Sequence, residues 1–334
     1  MTVRPLGQSG IQAGAVAFGA WALGGWMWGG VEQNDSVRAL HAAIDLGMNL
    51  VDTAPVYGMG RSEEVVGEAI RDRRDKVVLA TKVGLVWNTD KGERFFETVD
   101  PVDRTKYKVH KYLDPQSIRY EIEQSLRRLQ TDYIDLYQTH WQESTTPIAD
   151  SMAELLKLKD EGKIRAIGVS NCTTGQIDRY RAVGPIDSDQ EQYSMLFPKP
   201  EDALLSYCEQ HNLAFLAYSP IAQGLLTGKV GPDRTFPLSD QRSNKPQFSV
   251  ENRTRVARML ETFKPIAEAH ECTLGQLAIA WTIHQPGCSH ALVGARNAEQ
   301  VAENAAAGDI ALTAGDLATM GEAINAYRSE GIPE

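Results

Sequence analysis

Four side chains able to move or steady a proton stand at or just past the ends of extended runs: Asp52, Tyr57, Lys82 and His140. Asp52 closes the apolar run Asn49-Leu-Val51, and Tyr57 follows in a segment that Pro55, Gly58 and Gly60 keep out of regular structure. Lys82 ends Lys76-Val-Val-Leu-Ala-Thr-Lys82, and His140 ends Tyr133-Ile-Asp-Leu-Tyr-Gln-Thr-His140. Each has an ordinary alternative: a capping aspartate, a packed loop aromatic, a solvated lysine, a histidine satisfied beside Trp141. Their joint placement favours a shared role, because the C-terminal ends of parallel strands carry the chemistry of α/β folds. A lysine ending an apolar run is also partly desolvated, which is costly unless a partner such as Asp52 neutralises it.

Together these residues describe a proton-transfer site. A free phenol has a pKa of about 10 and is a poor acid or base at neutral pH. A neighbouring ammonium lowers that value, a carboxylate holds the ammonium, and a histidine on the other side polarises a carbonyl oxygen. Such a group can protonate an alkoxide formed by hydride transfer, or deprotonate an alcohol in reverse.

The elements that would position them alternate along the chain. Ala13–Gly19, Leu50–Asp52, Lys76–Lys82, Tyr133–His140, Ile164–Asn171, Asp189–Tyr193, Ala214–Ser219 and Ala291–Gly294 read as strands. Helices come between: Asn34-Asp-Ser36 offers N-caps ahead of Val37, Leu40 and Ile44, and Ser62-Glu-Glu64 opens a helix with acidic residues where the dipole favours them. Asp114-Pro115 starts another, and Thr146-Pro147 caps one that closes at Gly162. Eight strands separated by helices predict an α/β chain closed as a (β/α)8 TIM barrel. Thr2–Gln12 should form an N-terminal β-hairpin turning at Gly7-Gln-Ser-Gly10. With 334 residues, the chain exceeds the ~250 of a typical barrel. The surplus falls on 88–110, which has no clear period and reads as a long loop, and on 229–250; both follow strand ends on the C-terminal face. No linker divides the chain, so a single domain over 1–334 is expected.

Composition limits the partners. A net charge of -10 without a Lys/Arg cluster argues against nucleic acid or an anionic membrane. No apolar run approaches the ~20 residues of a bilayer span, and Met1–Gly7 does not begin a signal peptide. Cys172, Cys208, Cys272 and Cys288 are widely spaced, which fits small buried side chains in a reduced, cytoplasmic protein rather than a disulfide framework or zinc site.

Beyond the four ionisable residues, Asp52-Thr-Ala-Pro-Val-Tyr57, Ala80-Thr-Lys82, Gln138-Thr-His140-Trp, Gly168-Val-Ser-Asn171, Tyr218-Ser-Pro-Ile-Ala-Gln-Gly-Leu-Leu226 and Val293-Gly-Ala-Arg-Asn-Ala-Glu-Gln300 with Glu303-Asn304 run in order across nearly the whole chain. This set resembles the aldo-keto reductase superfamily. Arg61-Ser-Glu-Glu64 and Gly294-Ala-Arg-Asn297 are similar to its bacterial branch of general stress and inositol-operon reductases, and to the potassium-channel β subunits. The resemblance implies that Tyr57 is the general acid, Lys82 and Asp52 its tuners and His140 the carbonyl orienter. It implies that Ser170, Asn171 and Gln192 bond the nicotinamide amide, that Tyr218 stacks on its ring, and that Gly19-Ala20-Trp21 lies nearby. Ser219, Pro220, Ile221, Ala222, Gly224 and Leu225, with Lys229, would wrap the pyrophosphate; Gly294, Arg296, Gln300, Glu303 and Asn304 would hold the adenosine end. The family needs no Rossmann fingerprint, and here Gly58-Met-Gly60 is followed by Glu63 where a third glycine would stand. A guanidinium at Arg296 can grip a 2′-phosphate, so NADPH/NADP+ is the implied cofactor, with NADH used less well. Many relatives carry a further lysine or serine where Gly294 and Ala295 stand, which loosens that grip.

The implied activity is reduction of a small aldehyde, ketone or aldose by a monomer or weak homo-oligomer. A second reading is a redox-sensing NADP(H)-binding subunit like the channel β subunits, which a co-purifying partner would reveal. A third is a Schiff-base lyase with Lys82 as nucleophile, which borohydride trapping on Lys82 would reveal. Trp21, Trp26, Trp28, Trp87 and Trp141 are the expected aromatic pocket walls.

Overall fold

The structure is a computed structural model that describes residues 1–25, 33–100, 104–237 and 240–333. The chain opens with an antiparallel hairpin, β1 (Val3–Pro5) and β2 (Gln12–Gly14), then enters the barrel at β3 (Val16–Gly19). Helix α1 (Gln33–Asp45), β4 (Leu50–Asp52), α2 (Arg61–Ile70) and β5 (Val78–Val83) follow. Strands β6 (Leu85–Val86), β7 (Glu93–Val99) and β8 (Lys106–Lys111) form a separate antiparallel sheet. The alternation resumes with α3 (Pro115–Leu129), β9 (Ile134–Thr139), α4 (Ile148–Asp160), β10 (Ile164–Ser170), α5 (Thr174–Arg181), β11 (Ser188–Gln192), α6 (Leu204–Gln210) and β12 (Ala214–Tyr218). It ends with α7 (Val250–Glu261), α8 (Lys264–Ala269), α9 (Leu274–Ile283), β13 (Cys288–Gly294), α10 (Ala298–Ala306) and α11 (Ala314–Ser329).

Strands β3, β4, β5, β9, β10, β11, β12 and β13 pair in parallel, each with its sequence neighbour, and β13 closes on β3. This is the expected (β/α)8 barrel. Strands covered on both faces read as continuous apolar runs, and every residue of β5 is buried. Inside the barrel Ala17, Leu50, Ala80, Leu136, Ala166 and Leu216 fill the lower layers, and Leu6 and Ile11 of the hairpin plug the bottom. Above them the inward positions turn polar: Asp52, Lys82, Gln138 and Gln190, all buried.

Several elements depart from the sequence reading. The run Ala13–Gly19 is two strands, its first part paired in the hairpin. Helix α1 already begins at Gln33, so Asn34-Asp-Ser36 lie in its first turn and do not cap it. Asp114 does cap α3, accepting from the Gln116 N–H. Thr146 does not cap α4; Pro147 holds that position without a side-chain bond. Most consequential, 88–110 is no loop: β7 pairs with β8 and β8 with β6, so the insertion is a small sheet standing on the C-terminal face. Segment 229–250 contains two short 3₁₀ turns, Gln241–Asn244 and Pro246–Phe248. Trp26 and Trp28 lie outside the described residues.

The hairpin turn depends on Gly7, whose φ of +58° is joined by a close approach: a Cβ there would sit 2.0 Å from the Asp187 carbonyl oxygen. Gly10 has a φ of +78° but open space. Gly7→Ala should therefore cost more than about 1 kcal/mol in thermal or urea unfolding, and Gly10→Ala clearly less, with turnover unchanged in both because the turn is at the barrel bottom. Equal costs would contradict this account of the plug.

Candidate active site

The Lys82 ammonium is the hub of the mouth. It donates to Asp52 Oδ2 at 2.7 Å, to the Thr53 carbonyl at 3.0 Å and to Tyr57 Oη at 3.1 Å, in full burial. An ammonium has three donors and no acceptor, so all three are committed, and the phenol oxygen accepts from Lys82. The phenol's own proton is left for another acceptor. Register explains the meeting: Asp52, the last residue of β4, pairs with Ala80 on β5, and Lys82 follows on the same face of β5 one step higher.

Asp52 is held from the far side as well. Its Oδ1 accepts from Gln190 Nε2 at 2.9 Å and from Gln138 Nε2 at 3.3 Å. Neither amide was singled out from the sequence. The available signal was alternation: Gln190 lies two residues before Gln192 on β11, and Gln138 two before His140, so each shares the inward face of a residue that was chosen.

Burial is the largest influence on the titration of Lys82, Tyr57 and His140. Burial disfavours the Lys82 charge, but Asp52 and then Tyr57 favour it, and the balance lies above the ordinary lysine value. Tyr57 is a correction to expectation. Lys82 does lower its pKa, yet burial acts harder in the other direction and Asp52 adds to it, so the phenol lies above its usual value. His140 is pushed well below the usual imidazole range by burial, then by Lys82, and is neutral at neutral pH. Its ring meets Tyr57 edge-on with centroids 5.7 Å apart, and the Trp21 ring lies 6.2 Å from Tyr57.

A carbonyl compound reaching this mouth would meet a phenol with a spare proton beside a neutral imidazole. The wall beyond is aromatic. Tyr57, Met59, Trp87, Phe96 and Trp141 pack around Ala54, Val56, Leu85 and Val109, so the inserted sheet brings Phe96 alongside the expected tryptophans. The Phe95 and Trp141 rings meet at a tilt of 52° with centroids 5.2 Å apart.

The remaining expected residues lie at or after the C-terminal ends of β3, β10, β11, β12 and β13. Gly19, Ala20 and Trp21 follow β3. Ser170 Oγ donates to the Gln190 carbonyl, and the Asn171 amide donates to the His140 carbonyl and accepts from the Tyr218 hydroxyl, so Ser170, Asn171 and Tyr218 form one linked group. Gln192 stands at the end of β11, half-buried. After Tyr218 the chain takes positive φ at Ser219, Ala222, Gln223 and Gly224. Ala222 and Leu225 pack into the core, Pro220 is buried, and Ser219, Ile221 and Gln223 are partly exposed. Lys229 pairs with Glu303 at 3.3 Å. The Arg296 N–H donates to Gln300 Oε1 while its side chain is exposed, and Asn304 donates to the Gly294 carbonyl. Gly19 and Gly294 are paired across β3 and β13. The turn of positive φ, a half-buried ring at Tyr218 and an exposed guanidinium at Arg296 suit a long anionic dinucleotide.

The Aldo/keto reductase family profile matches residues 15–325. The chain belongs to the aldo/keto reductase family. It is 42% identical to the NADH-specific methylglyoxal reductase of Escherichia coli over 280 residues, 83% of each protein. It is 37% identical to the aldo-keto reductase YhdN of Bacillus subtilis over 307 residues, 90% of this chain and 87% of that one. Among solved structures, the glycerol dehydrogenase of Gluconobacter oxydans superposes with a TM-score of 0.86 at 39% identity, covering 100% of this chain and 96% of that one. An aldo-keto reductase from Klebsiella pneumoniae in complex with NADPH superposes with a TM-score of 0.71 at 31% identity, covering 96% and 95%. The chain is thus an oxidoreductase of a family that handles small carbonyl compounds with a nicotinamide cofactor. No helix among the described residues is long and apolar enough to cross a membrane.

Asp52→Asn leaves the Lys82 ammonium buried without its counter-charge. Breaking such a pair costs about 3–5 kcal/mol, read by urea denaturation at neutral pH. A loss under ~1 kcal/mol, the value of an exposed pair, would contradict the buried geometry.

Proposed function

We propose that the protein reduces an aldehyde or ketone, and reversibly oxidises the alcohol, with Tyr57 as general acid/base, Lys82 and Asp52 as its supports and His140 as the group that orients the carbonyl. The observation that carries this is the Tyr57 hydroxyl accepting from a Lys82 whose other two bonds fix it to Asp52 and Thr53. Bound nicotinamide supplies or takes the hydride. Tyr57 gives its free proton to the developing alkoxide. Lys82 then steadies the phenolate through the bond already in place, and Asp52 keeps Lys82 charged and aimed. Neutral His140 can donate one hydrogen bond to the carbonyl oxygen without a positive charge that would compete with Lys82. Ser170, Asn171 and Gln192 would meet the nicotinamide amide, and Tyr218 its face. Gly19, Ala20 and Trp21 would border it, and the turn Ser219–Leu225 with Lys229 would hold the pyrophosphate. The aromatic wall of Trp21, Trp87, Phe96 and Trp141 suits a small aldehyde or a sugar-like carbonyl.

Reduction needs the phenol protonated. Because Tyr57 lies above its ordinary value, reduction should hold level through neutral pH and fall only as pH rises through the phenol pKa. Oxidation of the alcohol needs the phenolate and should rise over that same range. Tyr57→Phe should lower kcat for reduction by at least ~100-fold, the lower end of a general acid's contribution, with cofactor binding intact. Turnover retained in that variant would refute the reading.

For the adenosine end we propose Gly294, Arg296, Gln300, Glu303 and Asn304, with NADPH preferred and NADH used less well. The exposed guanidinium of Arg296 supports NADPH, whereas the relative named NADH-specific supports NADH. Steady-state kinetics with both cofactors separates them. Arg296→Ala should raise KM for NADPH roughly tenfold, the worth of one charge-assisted contact, and leave KM for NADH nearly unchanged. Equal effects on the two would overturn the phosphate assignment.

A further inference from the structure

Helix α2 begins directly after the Tyr57 loop, and its first three residues tie that loop to three different walls. Arg61 donates to the Gly24 carbonyl and pairs with buried Asp100, where β7 of the inserted sheet ends. Ser62 Oγ donates to the Ala20 carbonyl at 2.8 Å and shares a hydrogen bond with Thr53 Oγ1, beside Asp52. Glu63, wholly buried, accepts from Thr81 Oγ1 at 2.7 Å and from Arg128 Nε at 2.7 Å. Thr81 precedes Lys82 on β5, so by strand alternation it faces α2 while Lys82 faces the mouth.

These contacts close a ring. From Lys82 the path runs through the peptide to Thr81, across its hydroxyl to Glu63, through the peptide to Ser62, from the Ser62 N–H to the Tyr57 carbonyl at 3.1 Å, along the Tyr57 side chain, and back from Tyr57 Oη to Lys82 at 3.1 Å. Every link but one is covalent or lies outside the barrel mouth. The exception is the Tyr57–Lys82 bond itself, whose length the other two hydrogen bonds help to set. The Arg128 guanidinium fixes the orientation of the Glu63 carboxylate, and with it which oxygen meets Thr81.

We propose that Glu63, acting through Thr81, is a positioning residue that sets the distance between the Tyr57 hydroxyl and the Lys82 ammonium. The acidic residue that breaks a dinucleotide-binding glycine pattern in the sequence thereby gains a purpose: it faces away from the mouth, into the seam between α2 and β5. This inference rests on the assignment of Tyr57 as the acid/base. Without the Thr81 bond, α2 and its loop can shift against β5 and Lys82 stands further from the phenol. The phenolate is then less favoured, and the Tyr57 pKa rises further.

The test compares Thr81→Val, which removes the hydroxyl at nearly constant volume, with Thr81→Ser, which keeps it, and with Tyr57→Phe. Thr81→Val should lower kcat about tenfold, within what a small misplacement of a catalytic group can cost. Its cofactor Kd should be unchanged and the alkaline limb of the rate profile should move to higher pH. Thr81→Ser should restore both. Thr81→Cys, with a weak thiol donor of similar size, carries the same comparison if Thr81→Val does not fold. A lowered Tm with the wild-type kcat and the wild-type alkaline limb would overturn the proposal, since a merely structural bond moves stability alone. If Tyr57→Phe itself retains turnover, the acid/base assignment has failed instead, and the two failures are told apart.

Discussion

A buried ammonium is the constraint on which the rest of this site depends. Lys82 is as sealed from solvent as the leucines of the barrel interior, and a charge placed there is tolerable only if every donor finds an acceptor. Asp52, Thr53 and Tyr57 fill that need. Their demands then spread: Asp52 requires Gln138 and Gln190 to share its second oxygen, which makes the upper layer of the barrel polar while the lower layers stay apolar. The barrel provides a rigid floor of Leu50, Ala80, Leu136 and Leu216 beneath these groups, so the polar layer is held by side chains with no room to move.

Burial also decides how the site titrates. It raises the phenol of Tyr57 and lowers the imidazole of His140, and so keeps the one protonated and the other neutral at ordinary pH. The lysine opposes this at Tyr57 without overcoming it. The same enclosure is supplied partly by the inserted sheet, whose Phe96 joins Trp87 and Trp141 over the mouth. Relatives within the aldo/keto reductase family are named for different substrates and cofactors, as expected where a common floor carries variable loops.

Much of this was legible in the sequence because parallel strands announce themselves as apolar runs, and a charged or hydroxylic residue ending such a run is conspicuous. Asp52, Lys82 and His140 stand out for that reason, with Tyr57 in the segment just past Asp52, and the barrel follows from counting the runs. What was missed has a physical cause as well. Strands β7 and β8 are antiparallel and half-exposed, with Glu93, Arg94, Glu97, Lys106 and Lys108 among their residues; charges that protect an open sheet edge also hide its strands. Gln190 was passed over because β11 is polar throughout, Ser-Asp-Gln-Glu-Gln, so no apolar period marks which residues face inward. The direction of the Tyr57 shift was misjudged because a pairwise view counts the lysine and omits the enclosure.

In the proposed mechanism hydride and proton reach the carbonyl together, the proton coming from Tyr57 as Lys82 stabilises the phenolate left behind. Single-turnover oxidation of the reduced cofactor by an aldehyde, followed by nicotinamide absorbance in H2O and D2O with cofactor carrying hydrogen or deuterium at C4, tests this most directly. The account predicts that deuterium at C4 and deuterium in the solvent each slow the same kinetic phase, and that they do so together. A phase slowed by the labelled cofactor and indifferent to D2O would mean that no proton moves from the site in that step, and would contradict the account.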